Sequence, residues 1–190
     1  MMSAAGPPQD ARPPGGERRA APIGGGPASA VAAPNFGFLV RHPAHCIALG
    51  FGAGLAPIAP GTFGTAVAIP IALLLRAHFP DAVFVAAIVV FALVGVWAAQ
   101  VTGRNLGVPD HGSIVWDEVV AFLLVLYFVG DDAWRIAVAF AVFRFFDIVK
   151  PPPIRQLDGA LKNGFGVMAD DLLAAGYTLV VLAIGQRLVG

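Results

Sequence analysis

Residues 82–101, AVFVAAIVVFALVGVWAAQV, run for twenty positions without a charge. As a helix that length rises about 30 Å, the hydrocarbon thickness of a bilayer. Within lipid, backbone N–H and C=O groups find no water, so a segment of this kind satisfies them internally as a helix. Composition points the same way. The chain is 57% hydrophobic and only 13% charged, about half the ~25% of a soluble domain. Twelve basic and twelve acidic residues give zero formal net charge. That leaves no basic excess for nucleic acid, which is excluded as a partner.

The remaining segments follow from the same alternation of apolar run and polar break. Residues 1–35 are a Pro/Gly/Ala-rich tail without an apolar run, so they do not read as a secretory signal. They bury too little to offset their ordering entropy and are expected to be disordered. Residues 36–190 then form one helical domain. Residues 45–65 are Gly/Pro-rich and are expected to hold a short helix ending in an irregular loop. Apolar helices are expected over 65–79 (with Pro70 inside), 82–101, 119–129, 133–149 and 172–184. The fold expected is all-α: a membrane-embedded bundle of about five to six helices, some short, with polar loops converging on one face. The lone cysteine, Cys46, has no arginine six residues on, as a cysteine-phosphatase loop needs, and reads as a small apolar residue.

Charge is concentrated. Four charged residues lie within 104–118 and eight within 144–171, half of the chain's total. If the five segments from Thr65 onward each cross, these two loops and the Gly/Pro stretch before Thr65 share one face. Arg76, the Asp131-Asp132-Arg135 turn and Arg187 fall on the other. The loaded face carries Arg104, Arg144, Lys150, Arg155 and Lys162, so the positive-inside rule makes it cytoplasmic.

Four constellations on that face carry chemistry. Asp117-Glu118 precedes an apolar helix, where carboxylates either cap the helix or serve a site. Asp170-Asp171 repeats the arrangement. Adjacent carboxylates repel, and a hard divalent cation such as Mg²⁺ takes oxygen ligands of this kind. In FRFFDIVKPPPI, Arg144 and Asp147 share a helix face, and Lys150 follows before three prolines stop the helix. Arg144–Asp147 can be a simple internal ion pair. Alternatively Arg144 and Lys150 receive a phosphate, one as a fork and one as a point charge. In LAPIAPGTFGT, Gly61 and Gly64 permit close backbone approach. Thr62 and Thr65 add hydroxyls, and Thr65 is expected to cap the next helix. Together these fit metal-assisted phosphoryl chemistry.

The blocks GAGLAPIAPGTFGT, HGSIVWDEVVAF, FRFFDIVKPPPI and GFGVMADDLLAAG, in this order, resemble the type A phosphatidylglycerophosphatases of bacterial inner membranes. The resemblance covers roughly residues 40–190. It implies a Mg²⁺-dependent hydrolase that removes the terminal phosphate of phosphatidylglycerophosphate, leaving phosphatidylglycerol. It implies Mg²⁺ ligands at Asp117, Glu118, Asp170 and Asp171. It places phosphate contacts at Arg144, Lys150, Gly61, Thr62 and Thr65, and catalytic carboxylates at Asp117, Glu118 and Asp147. Asp147 either orients Arg144 or takes part in catalysis. Attack by an activated water and an aspartyl-phosphate route through Asp147 or Asp117 both stay open. Ala121 and Asn163 stand where the family often has glycine; neither is a charged position. The resemblance further implies a multi-pass inner-membrane location with the site facing the cytoplasm. The oligomeric state is left open.

One alternative belongs to a different class. Intramembrane carboxylates and arginines also line ion paths, as in a small transporter or channel subunit. That would set charges facing one another at mid-depth, whereas an enzyme would cluster them at one end.

Overall fold

The computed structural model describes residues 33–156 and 163–189. The expected tail therefore lies outside the described residues up to position 32, as do Asp158 and Lys162. Among the described residues every regular element is helical. Two short helices, α1 (Phe36–Leu39) and α2 (Pro43–Ala48), lead into a 3-10 turn, Gly50–Leu55. Five longer helices follow: α3 (Pro60–His78), α4 (Asp81–Leu106), α5 (Trp116–Val129), α6 (Ala133–Val149) and α7 (Gly164–Val189).

Helix α5 is the axis of the bundle. It is 14 residues long, or about 21 Å, and apolar on every side beyond its first turn. Val119, Val120, Ala121, Phe122, Leu123 and Val125 are fully buried, as a helix hydrophobic all round must be. It packs against α3, α4, α6 and α7.

The helices around it invert the usual pattern. By length and composition α3, α4 and α7 can cross a membrane, and only a minority of each span is buried. Their outward faces carry Leu74, Val89, Val90, Leu93, Val180 and Ile184, all more than half exposed. A continuous apolar exterior of this extent is untenable in water and natural in lipid. In lipid the hydrophobic effect no longer drives helices together, so close packing of small residues does much of that work. The inward stripe of α3 is Gly64, Ala68 and Ala72, all buried. Helix α7 contributes buried Ala174 and Ala175, and α6 contributes Ala139.

Helix ends explain the differences from the expected boundaries. Helix α3 starts at Pro60, five residues early. Pro60 at the first position is pre-set for a helix, and Ala59 takes a left-handed conformation (φ 50°) that turns the chain into it. Gly61, Thr62 and Thr65 are therefore helical, and Thr65 is not a cap. Its hydroxyl donates to the Gly61 carbonyl at 2.8 Å, as a threonine inside a helix does. Helix α7 starts at Gly164, eight residues early. This places Asp170-Asp171 in the second turn rather than at the helix entrance. Helix α4 runs on to Leu106 and ends on left-handed Gly107, with Val108 N–H donating to Gly103 O at 3.0 Å. Helix α6 agrees at both ends. Asp132 accepts the Arg135 N–H at 2.8 Å, and left-handed Lys150 (φ 46°) closes the helix before Pro151.

Enlarging the α3 stripe tests this packing. Ala68 is fully buried against the core, so Ala68→Leu is expected to lower stability by about 1–3 kcal/mol. The measurement is thermal unfolding of detergent-solubilised protein, with exposed Leu74→Ala as the near-neutral control.

Candidate active site

The up-and-down order brings the start of α3, the start of α5, the end of α6 and the start of α7 to one end of the bundle. Each carries part of a charged chamber. Asp117 and Glu118 occupy the first turn of α5, where the helix dipole favours negative charge. The dipole term, about 0.3–1 kcal/mol, is small against the several kcal/mol of desolvating a carboxylate. Asp117, Asp147, Asp170 and Asp171 are all buried. Capping alone therefore does not account for them.

Oxygens of Asp117, Glu118 and Asp171 lie within 4.8 Å of one another. Asp117 Oδ1, Glu118 Oε2 and Asp171 Oδ2 are buried without a hydrogen-bond partner in the structure. Three converging carboxylates with unsatisfied oxygens fit a hard divalent cation bound by oxygen. Asp170, also expected as a ligand, is directed differently: its Oδ2 lies 2.5 Å from Lys150 Nζ. Lys150, left-handed at the end of α6, directs its side chain to α7.

Arg144 is the hub of the opposite wall. Its Nη1 pairs with Asp147 one turn on, lies 3.5 Å from Thr65 Oγ1 and 3.8 Å from Glu118 Oε1. One guanidinium thus ties α6 to α3 and α5. Its Nε is buried without a hydrogen-bond partner. The Gly/Thr turn fits beneath it. A methyl group at Gly61 would collide with Glu118 Oε1 and stand 3.0 Å and 3.2 Å from the two guanidinium nitrogens of Arg144. Thr62, half-buried in the same turn, donates its N–H to Ala59 O at 2.9 Å.

Among the described residues, five buried or nearly buried carboxylates face two cations, Arg144 and Lys150. Such a surplus of buried carboxylate fits an added positive charge.

Gly64 makes the close backbone approach expected of it, and the other supports lay outside the sequence-based expectation. A Cβ at Gly64 would meet the Val115 backbone and side chain, so this glycine seats the loop that delivers Asp117. That loop is also held by Val115 N–H to Ala48 O, 2.8 Å. Trp116 Nε1 donates to Phe91 O at 3.0 Å, anchoring the start of α5 on α4. His45 is buried, with Nδ1 at 3.0 Å from Phe38 O and Nε2 at 2.8 Å from Asn105. None of these pairings has a local pattern, since the partners are 7 to 67 positions apart.

Fold and site define a membrane-class helical bundle with an acidic chamber at one end, suited to phosphate-ester chemistry. The family model described as Phosphatidylglycerophosphatase A matches residues 46–186. A phosphatidylglycerophosphatase A of Haemophilus influenzae is 44% identical over 142 residues, covering 74% of this chain and 87% of the relative. One from Escherichia coli is 39% identical over 144 residues, covering 75% and 83%. A Bacteroides thetaiotaomicron protein with the provisional name phosphatidylinositol-3-phosphatase is 38% identical over 151 residues, covering 76% and 94%. No solved structure matches the chain. The chain belongs to the phosphatidylglycerophosphatase A family, and it is a phosphatase.

Gly61 gives the sharpest geometric test. Gly61→Ala must displace Glu118 and Arg144, and misplacement of about 1 Å costs about a hundredfold in rate. Phosphate release is expected to fall on that order while helical circular dichroism is retained. Wild-type turnover in Gly61→Ala would show that the contact does not matter.

Proposed function

We propose that the protein hydrolyses phosphatidylglycerophosphate at its terminal phosphate monoester, giving phosphatidylglycerol and inorganic phosphate, with Mg²⁺ held by Asp117, Glu118 and Asp171. The single observation that carries the metal assignment is the trio of converging carboxylates with unsatisfied oxygens. The substrate assignment is supported by the names of the Haemophilus and Escherichia relatives. Bound Mg²⁺ would supply Lewis acidity toward a phosphoryl oxygen.

The protein's own groups do the rest. Arg144 presents its guanidinium to phosphoryl oxygens, with the Gly61–Thr65 turn and Thr62 beside it. Lys150 adds positive charge at the rim while holding Asp170, so Asp170 acts on the chamber through Lys150. In water attack, the incoming oxygen bonds phosphorus as the bond from phosphorus to the glycerol oxygen breaks. A carboxylate takes the water's proton, and the departing glycerol oxygen gains one. Asp147 and Glu118 are the candidates for the base, since both lie against Arg144, which would hold the phosphate. An aspartyl-phosphate route would instead use Asp117 or Asp147 as nucleophile.

The location supports a lipid substrate. The chamber is at the end of the bundle, at headgroup level, so the acyl chains can stay in the bilayer. The excess of basic residues on that face supports a cytoplasmic orientation in a bacterial inner membrane. Clustering at one end, rather than across the bundle at mid-depth, favours an enzyme over an ion path.

Phosphate release from phosphatidylglycerophosphate by the purified protein is the test, run beside phosphatidylinositol 3-phosphate. Activity is expected to vanish in EDTA, to return with Mg²⁺, and to fall at least ~100-fold in Asp117→Asn, the scale of losing a group that stabilises transition-state charge. Equal rates for wild type and Asp117→Asn would remove Asp117 from the mechanism. Faster turnover of the inositol lipid would reassign the substrate. A trapped phosphoenzyme would select the covalent route.

A further inference from the structure

One groove lies away from the chamber. It lies between α6 and α7 and encloses about 740 Å³, within the usual range for ligand sites of roughly 300–1,000 Å³. Val138 and Val142 of α6 and Val181 and Leu182 of α7 make its apolar wall. Arg135 and Gln186 stand at one end. This end is remote from the chemistry. Arg135 precedes Asp147 by twelve residues on the same helix, or about 18 Å.

Three features say what fits there. First, the Arg135 guanidinium makes no ion pair or hydrogen bond with the described residues, although Asp131 and Asp132 are near in sequence. The Asp132 carboxylate is engaged in capping α6 through the Arg135 N–H. Second, Trp134 is 75% exposed beside Arg135. An exposed Trp next to an Arg at a helix end is the residue pair of a membrane–water boundary. Third, the groove opens toward what would be lipid, and Gly185 leaves it wide: a Cβ there meets nothing within 4 Å. A cation and an amide at headgroup level above an apolar trough match an anionic amphiphile.

We propose that the α6–α7 groove is a second lipid site. It takes an anionic phospholipid of the leaflet remote from the carboxylate chamber, with the lipid phosphate on Arg135 and Gln186 and an acyl chain along Val138, Val142 and Val181. The occupant is not the substrate, whose phosphate must reach Arg144 at the other end.

The test uses the full-length protein in phosphatidylcholine nanodiscs containing a minor fraction of chain-brominated lipid. The Trp134 signal is taken as the difference between wild type and Trp134→Phe. Brominated phosphatidylserine, anionic but not a phosphate monoester, is compared with brominated phosphatidylcholine. Quenching by the anionic lipid is expected at about fivefold lower mole fraction, as one basic contact at the headgroup gives. Arg135→Gln should abolish that preference. Gly185→Leu, which fills the trough at a position with room for a side chain, should lower quenching by both lipids. Equal quenching by the two lipids, or a preference that survives Arg135→Gln, overturns the proposal. So does a nanodisc dimer in which Trp134 is shielded from both, since a second copy would then occupy the groove.

Discussion

Everything at the active end follows from burying more negative than positive charge at the mouth of an apolar bundle. Among the described residues, Asp117, Glu118, Asp147, Asp170 and Asp171 gather around Arg144 and Lys150. Each uncompensated carboxylate costs several kcal/mol to desolvate. The protein answers in two ways. Arg144 and Lys150 each take one aspartate directly, Asp147 and Asp170. The other three acids, with Glu118 3.8 Å from Arg144, converge on a common point that fits a cation. Within the pair Asp170-Asp171, one acid is thus paired with Lys150 and its neighbour joins the carboxylate trio.

That division depends on helix packing as much as on charge. Asp117 and Glu118 reach the chamber because α5 is locked by small residues around it. Gly64 lets the Val115 loop touch α3, and Gly61 leaves room for Glu118 under Arg144. The α3 stripe that admits the site, Gly61 and Thr65, continues as Ala68 and Ala72 into the core. One face of one helix therefore serves both membrane packing and site geometry, and a change in its bulk is felt in both.

The all-helical class was legible because a twenty-residue run without charge permits little else. The convergence of polar stretches at one end was legible from chain parity, which is topology rather than detail. Boundaries were less so. Charge was taken as the end of a helix at Asp117 and Asp171, yet both acids are inside helices, since a site can compensate a polar residue that local composition penalises. Thr65 looked like a cap and is a second-turn residue, because the left-handed Ala59 ahead of Pro60 has no signature in a run of small residues. For the site, the residue types were visible but their partition was not. The sequence makes Asp170 and Asp171 equivalent; a 100° step around α7 sends one to Lys150 and the other to the carboxylate trio.

The two ends of the bundle pose opposite electrostatic problems. At the chamber, negative charge is in excess and sequestered from lipid. At the far end, Arg76 is satisfied internally by donating to the Leu126 and Tyr127 carbonyls at the end of α5, at 3.0 Å and 3.1 Å. It closes the helix there as a C-terminal cation does. The Arg135 guanidinium makes no such hydrogen bond among the described residues, although the last turn of α7 at Gln186 lines the same groove. The same residue type is thus structural on α3 and outward-looking on α6. Alternating helix direction puts carbonyl ends and amide ends side by side at each face, and a cation there closes a helix only where its side chain reaches a carbonyl, as Arg76 does.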